Sequence, residues 1–477
     1  MNPYVRVLRH YVRVQFLIAS LIDAILALCA IHLAVWLENA VGPGSSTHVE
    51  LESAVLYALV VTLSMAAMGV HESHVREGYT GAVLRAAVAI FLIATIFSAS
   101  LFYVIPTLAL KSQLLAIGAV LTFVLVGITR TFEIGVLDAE FFRRKVVVLG
   151  CGQRAAKLAS RLRRRYDQRT FNIVAYLCRC PDEEDHVSHY GAPKALLQET
   201  ILSYCARCNI DEIVVALDER RGSRGQDKKG MPIDELLECR FAGMQVTDIQ
   251  SFVERETGKL DTDLLERSWM IFSDGFTQSA WRRASKRAFD MFAGIALLAV
   301  AWPVMIVLVL AIWIEGGFRG PIMYRQQRVG LSGRTFEVLK FRTMVRNAED
   351  AGIARWAEAK DPRTTRVGRF MRRTRLDELP QIVNVLRGEM SFVGPRPERP
   401  QFVDQLSETI PYYSYRHAIK PGITGWAQLC YPYGSSSEDA REKLKFDLYY
   451  LKNHSILLDL IILFQTIDVV LVGEGAR

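Results

Sequence analysis

Four apolar stretches, at about 15–37, 54–70, 83–106 and 113–129, fill the first 130 residues, and each approaches the length that crosses a hydrocarbon core as a helix. A backbone in lipid must satisfy its own hydrogen bonds, so residues 1–135 are restricted to a bundle of four membrane-spanning helices. Charge sets its orientation. Arg6, Arg9 and Arg13 precede the first stretch, Arg76 and Arg85 flank the turn between the second and third, and Arg130, Arg143, Arg144 and Lys145 follow the fourth. The loop at 38–53 instead carries Glu38, Glu50 and Glu52 and neither Lys nor Arg. The positive-inside rule therefore places both ends of the bundle in the cytoplasm. Asp23, inside the first span, is a functional candidate because intramembrane acids are costly; the plainer reading is a bond within the bundle, with Arg85 as partner.

A chain of 477 residues exceeds one domain, and 51% hydrophobic with 23% charged residues fits membrane segments joined to soluble domains. The net charge of +8 suits anionic lipid, phosphorylated substrates or nucleic acid. Nucleic acid is disfavoured because the basic residues track membrane boundaries and the motifs below, rather than interleaving with aromatics on one soluble face. Six of the eight cysteines (Cys151, Cys178, Cys180, Cys205, Cys208, Cys239) fall in the middle region without compact disulfide spacing, so reduced, cytoplasmic thiols are expected. Cys178/Cys180 and Cys205/Cys208 lack a suitably spaced His pair, and zinc is not expected.

From 145 the pattern changes to short β-rich runs (145–150, 171–177, 210–216) alternating with amphipathic helices, which indicates a parallel, Rossmann-like α/β domain over 140–265. Its first strand enters Gly150-Cys-Gly152, where glycines let a backbone approach a pyrophosphate at a helix N-terminus. Only two glycines are present, and Tyr176-Leu177-Cys178-Arg179 stands where a ribose-binding acid belongs. Regulation or dimer contacts are therefore favoured over dinucleotide binding. Residues 221–230 read as a solvated polar loop and 266–282 as a linker.

A further apolar run, 288–314, is interrupted by Pro303. Arg282, Arg283, Lys286 and Arg287 precede it and Arg319, Arg325 and Arg328 follow, so both flanks belong on the cytoplasmic side. The expectation is a re-entrant helix-break-helix over 286–314, with Pro303 at the break and Arg287 pairing with Asp290 at headgroup level. The rival reading is an ordinary fifth span.

Five sequence blocks follow in order. Lys286-Arg-Ala-Phe-Asp290 opens the apolar run, and Gln326-Gln-Arg328-Val-Gly330 leads to Lys340-Phe-Arg342-Thr-Met344; then come Arg375-Leu-Asp377-Glu378-Leu-Pro-Gln381, Ser391-Phe-Val-Gly-Pro-Arg396-Pro397 and Lys420-Pro-Gly-Ile-Thr-Gly-Trp-Ala-Gln428. Over 283–477 they resemble the monotopic phosphoglycosyl transferases, the bacterial sugar transferase family that initiates glycan assembly on undecaprenyl phosphate. One departure is Trp302 before the hairpin proline, where small members often carry serine. The bundle and α/β domain resemble the longer members that begin exopolysaccharide or O-antigen synthesis.

The residues support the same chemistry independently. Leu376, Leu379, Ile382, Val383 and Leu386 recur at helical spacing, which predicts an amphipathic helix from Asp377 to about Arg387 with both acids at its N-terminus, where Pro380 is tolerated. A helix N-terminus would keep Asp377 ionised as a nucleophile at phosphorus, and two adjacent carboxylates suit Mg²⁺. The plainer reading is that both acids merely cap a helix. Arg328, Lys340, Arg342, Arg372, Arg375 and Arg396 are the candidate ligands of a diphosphate and a lipid phosphate, with Arg363 beside them; Arg396 and Lys340 rank highest. Trp426 is read as an interfacial anchor, and the apolar 455–472 stretch, with Asp459 and Asp468, as a helix lying on the membrane.

The resemblance implies a UDP-sugar donor, a polyprenyl phosphate acceptor, a phosphosugar-aspartate on Asp377 and release of UMP. It also implies an inner-membrane, multi-pass protein with cytoplasmic soluble domains that contacts membrane lipids; a homodimer is the expected assembly. The alternative is a catalytically silent nucleotide sensor or scaffold, against which the retained Asp377-Glu378 pair, Lys340 and Arg396 argue.

Overall fold

The computed structural model describes residues 4–7, 10–41, 49–70, 79–108, 110–137, 143–162, 171–179, 185–190, 193–218, 230–265, 267–318, 320–345, 363–431, 434 and 436–472. The side chains of Arg6, Arg9, Arg13, Arg76, Arg130, Arg319 and Asp468, the 219–229 loop and Cys180 lie outside it. The chain separates into two compact units, one of Gly127–Phe272 and one of Tyr4–Val126 with Ser273–Arg477.

In the second unit a hairpin of β1 (Tyr4–Val7) and β2 (His10–Arg13) leads into α1 (Val14–Val41), followed by α2 (Leu51–Ala67). Next, α3 (Tyr79–Ala87) passes through a π-helical segment, Val88–Ala94, into α4 (Thr95–Val104). The last helix, α5 (Ser112–Leu137), continues into the other unit. Buried Ala27, Ala30, Ala34, Ala54 and Ala58 let backbones approach closely, as packing between helices in lipid requires, while Leu21, Trp36, Leu63 and Phe97 remain exposed. Asp23 and Arg85 are both buried in the bundle. Among the described residues, four helical segments are long and apolar enough to cross a membrane: Phe16–Ala40, Val83–Tyr103, Ser112–Thr129 and Ala280–Glu315. The stretch expected as the second span forms the shorter α2, of 17 residues. The chain is a membrane protein.

The first unit holds the α/β fold, with β3 (Arg144–Leu149), β4 (Phe171–Cys178), β5 (Lys194–Leu196), β6 (Glu212–Val215) and β7 (Gln245–Asp248) in a parallel sheet ordered β5-β4-β3-β6-β7. Helices α6 (Gln153–Arg161), α7 (Ile201–Cys208), α8 (Ile233–Phe241) and α9 (Ile249–Thr257) alternate with the strands, and α10 (Arg267–Phe272) follows. Val146 and Val148 enter one core and Val147 and Leu149 the other, the period of two that buries both faces of a central strand. Gly150 adopts φ +119°, a conformation open to glycine. At the following turn the Asp218 carboxylate accepts the amides of Gln153 (2.7 Å) and Arg154 (2.8 Å), capping α6. The expectation of reduced thiols fails at one pair: Cys151 and Cys178 form a disulfide, with Cα atoms 5.5 Å apart. Their 27-residue separation hides a proximity that parallel pairing of β3 and β4 creates.

Beyond the linker, α11 (Ala280–Glu315) is one continuous helix of 36 residues with Pro303 inside it, so the expected division into two helices is not seen. Proline removes one amide donor and kinks a helix without obliging it to end. Both ends of α11 are tied to the same C-terminal segment. Near its start, Asp290 Oδ1 accepts Ser391 Oγ (2.9 Å) and the Phe392 amide (3.1 Å), and Arg287 donates to the Val385 and Leu386 carbonyls at 2.7 Å each. The expected Arg287–Asp290 pair is thus replaced, because each group finds a partner from the packed domain. Near its end, Leu308 and Ile312 pack with Phe341 and Met371, and Glu315 accepts the Arg366 amide at 2.7 Å. Between these ties, Phe292, Val300, Trp302 and Val307 are exposed.

The remaining elements are a hairpin of β8 (Met323–Val329) and β9 (Thr335–Phe341), α12 (Arg366–Thr374), α13 (Gln381–Arg387), β10 (Ser391–Val393), α14 (Pro400–Thr409), β11 (Gly422–Thr424) parallel to β10, α15 (Trp426–Cys430), α16 (Ser437–Asn453) and α17 (Ile456–Val472). Trp426 is buried against Tyr449, ring centroids 6.1 Å apart, and so is a core residue rather than an interfacial anchor. Asp459 on α17 is buried and holds Lys286 at 2.6 Å and Tyr450 at 2.5 Å.

Candidate active site

Asp377 and Glu378 do not open the helix. They lie on a 3-10 turn, Leu376–Glu378, and α13 begins only at Gln381, with Pro380 as its N-cap. The turn exists because Arg375, the C-cap of α12, adopts the left-handed conformation at φ 58°, costly for a residue with a Cβ, and reverses the chain there. This corrects the helix N-terminus invoked above: the environment of the two acids is made by surrounding cations and by burial.

Lys340 reaches the pair from β9, where it stands opposite Tyr324 in the hairpin, and its Nζ lies 2.7 Å from Glu378 Oε1. Arg396, between two prolines, brings Nη2 within 3.4 Å of the same oxygen and donates Nη1 to Gln428 Oε1 at 3.0 Å. Burial works against ionisation of Glu378, but Lys340 and Arg396 outweigh it and hold the carboxyl down at about 2. Asp377, 8% exposed, behaves oppositely. Burial and the neighbouring Glu378 charge raise its pKa above the ordinary carboxylate value, against Lys340, Arg372 and Arg375. A buried carboxylate ringed by cations and less engaged than its neighbour is chemically a nucleophile or a metal ligand.

The other sequence candidates divide. Arg372 and Arg375 act on Asp377 through their charge, and Arg372 Nε is positioned by Thr343 Oγ1 at 3.0 Å. Arg328 braces the segment carrying Arg396: its Nη1 donates to the Pro397 carbonyl (3.1 Å), while Gln326 holds its Nη2 at 2.6 Å. Arg342 is not brought to the carboxylates; its Nη2 lies 3.5 Å from the Ile312 carbonyl of α11.

Three contributors were not singled out from the sequence. Buried Asn384 accepts the Leu339 amide (3.0 Å) and donates to the Glu337 carbonyl (2.7 Å), which sets α13 against β9 and so fixes Lys340 relative to Glu378. A lone amide among Ile382, Val383, Val385 and Leu386 was the available signal. Gln428 orients Arg396, and buried Arg416 donates to the Arg396 carbonyl at 3.0 Å while holding Asp447 at 2.9 Å.

The residues that could hold a divalent cation are Asp377 and Glu378. Both contacts to Glu378 fall on Oε1, and among the described residues no cluster of three or more His, Cys, Asp or Glu forms a ready cage. One or two carboxylates completed by water and substrate phosphate oxygens is the usual set for Mg²⁺.

A sequence profile of the bacterial sugar transferase family matches residues 281–473. The UDP-N-acetylgalactosamine-undecaprenyl-phosphate N-acetylgalactosaminephosphotransferase of Aeromonas hydrophila is 41% identical over 242 residues, 51% of this chain and 56% of that protein. The undecaprenyl-phosphate glucose phosphotransferase of Komagataeibacter xylinus is 33% identical over 331 residues, 68% of this chain and 58% of that protein. With these relatives the chain shares about half their length. The UDP-glucose:undecaprenyl-phosphate glucose-1-phosphate transferase of Caulobacter vibrioides is 39% identical over 193 residues, 40% of this chain and 71% of that protein. Matched over most of that protein, and carrying the carboxylate pair within the 281–473 segment that fits the family profile, this chain belongs to the bacterial sugar transferase family, the phosphoglycosyl transferases.

Proposed function

We propose that the protein transfers a hexose-1-phosphate from a UDP-sugar to undecaprenyl phosphate, as the first membrane step of exopolysaccharide or O-antigen synthesis in the bacterial inner membrane. In the first step an Asp377 oxygen attacks the sugar-linked phosphorus; the bond from that phosphorus to the bridging oxygen breaks, and UMP leaves with the electron pair. In the second, an oxygen of the lipid phosphate attacks the same phosphorus, the phosphorus–Asp377 bond breaks, and the free carboxylate returns. The carrying observation is the division of labour in the dyad: Glu378 is engaged by Lys340 and Arg396, leaving Asp377 the less engaged carboxylate. Lys340, Arg372, Arg375 and Arg396 supply positive charge where the diphosphate must lie. Asp377 and Glu378 would hold Mg²⁺, which when bound shields the diphosphate and eases departure of UMP.

The α11 helix enters and leaves one face of the bilayer in this reading. Its support is that residues 287–290 and 308–315 are both bonded or packed to one C-terminal segment.

Incubating the enzyme with labelled UDP-sugar without lipid acceptor should give stoichiometric UMP and, after digestion, a sugar-phosphate adduct on Asp377. Release of UMP only when both substrates are bound, with no adduct, would mean that the lipid phosphate attacks directly.

A further inference from the structure

Arg396 is placed by its backbone as well as by its side chain. Three successive carbonyls, those of Arg396, Pro397 and Glu398, each accept a hydrogen bond from outside the segment. The donors are Arg416 Nη2 at 3.0 Å, Arg328 Nη1 at 3.1 Å and the Val329 amide at 2.9 Å. Prolines flank Arg396 on both sides, and their fixed φ leaves the clamped stretch few ways to move. Arg328 and Val329 both belong to β8, whereas Arg416 comes from a separate 3-10 segment, Tyr413–Ala418.

Arg416 is 6% exposed, and a charge taken that far from water needs a partner. Asp447 of α16, itself buried, supplies one: its Oδ2 lies 2.9 Å from Arg416 Nη2. Tyr413 Oη accepts Nη1 at 2.7 Å, and the Tyr413 ring lies under the guanidinium, 5.1 Å from centroid to Cζ. Both terminal nitrogens of Arg416 are therefore engaged at the point where it meets the Arg396 carbonyl. The support behind them is firm. Helix α16 opens on a capping box of Ser436 and Asp439 and buries Leu444, Leu448 and Tyr449 beside Asp447.

We propose that Arg416 and Asp447 are positioning residues for the transfer reaction, setting through the Arg396 backbone where the Arg396 guanidinium stands beside Glu378. The inference rests on the reading of Arg396 as a cation for the donor diphosphate. Arg416 grips the main chain of Arg396, so its removal lowers turnover by displacing that cation, while the carboxylate dyad itself stays in place.

A double-mutant cycle on the full chain in nanodiscs tests this, with UMP release from a panel of UDP-hexoses giving kcat and KM, and melting temperature measured alongside. Arg416→Lys keeps a charge for Asp447 but loses the fork that serves Tyr413 and the Arg396 carbonyl together. It should lower kcat/KM roughly ten- to a hundredfold. In an Arg396→Met background the same substitution should cost no further activity, although it lowers the melting temperature equally in both backgrounds. An equal loss of kcat/KM in both backgrounds would mean a merely structural role and would overturn the proposal, as would wild-type kcat/KM in Arg416→Lys. Should that variant not fold, Tyr413→Phe, which removes one hydroxyl and leaves the ion pair, is expected to show a smaller loss with the same dependence on Arg396, and additivity there counts against the proposal. If the wild type turns over no UDP-hexose, or Arg396→Met keeps wild-type turnover, the reading of the active site fails and the positioning role falls with it.

Discussion

Asp377 and Glu378 adjoin in sequence yet titrate in opposite directions, because Lys340 and Arg396 both converge on the second carboxylate. The pH dependence of stability follows. Glu378, held near 2 against an ordinary 4.5, contributes stability that is present above pH 4.5 and lost as pH falls toward 2. Asp377 has a raised pKa, so its effect reverses: stability is lost as pH rises from its ordinary 3.8 through the higher folded value. Asp377→Asn should therefore abolish turnover and raise the melting temperature above wild type at pH 7, with the gap closing as pH falls below about 4; scanning calorimetry across this range checks it. A variant equal to wild type at neutral pH would mean that Asp377 is not strained by its surroundings. These acids, Lys340 and Arg396 were legible because their blocks carry chemistry in sequence. Arg342 does not join Lys340 at the carboxylates because β9 ends at Phe341, so the alternation that would align the two stops one residue early. Asn384 showed only as a lone amide in an apolar helical run, and the roles of Asn384 and Gln428 rest on tertiary contacts.

At the level of elements, α12 and α11 carry the clearest consequences. Gly368, in the first turn of α12, lies so close to β9's continuation that an added Cβ would fall 2.1 Å from the Thr343 carbonyl oxygen, a backbone atom. Gly368→Ala should cost about 1–3 kcal/mol in stability. It should also lower turnover by shifting Arg372, which Thr343 positions; urea denaturation with activity assays measures both. For α11, cysteines introduced by Ala284→Cys and Phe318→Cys should both react with an impermeant maleimide from the cytoplasmic face alone, and labelling of either from the opposite face would sink the re-entrant reading. The apolar length of α11 was readable from sequence, as was the proline. The partners of Asp290 and Arg287 were not, since i to i+3 spacing favours their mutual pairing until the packed domain offers each a better one.

For the whole molecule, α17 packs against α2 as well as on its own domain, with Leu458 and Ile462 fully buried. Deleting residues 1–135 should leave a membrane-bound protein with measurable transfer activity but a lower melting temperature, because α17 loses part of its cover. Complete inactivity in a folded, membrane-bound truncation would implicate the bundle in catalysis. The alternation of strands and helices made the parallel sheet legible in advance, whereas the Cys151–Cys178 bridge became visible only once strand neighbours were known. The same sheet contains a built-in competitor. Asp218, three residues beyond β6, already occupies the amides at the start of α6, the place where a dinucleotide fold receives pyrophosphate. An incoming phosphate would have to evict a resident carboxylate, forfeiting two charge-assisted hydrogen bonds, or approach it against like charge. The chain thus carries its own substitute anion, and the geometry that elsewhere recruits a cofactor serves in this protein to join strand ends to a helix.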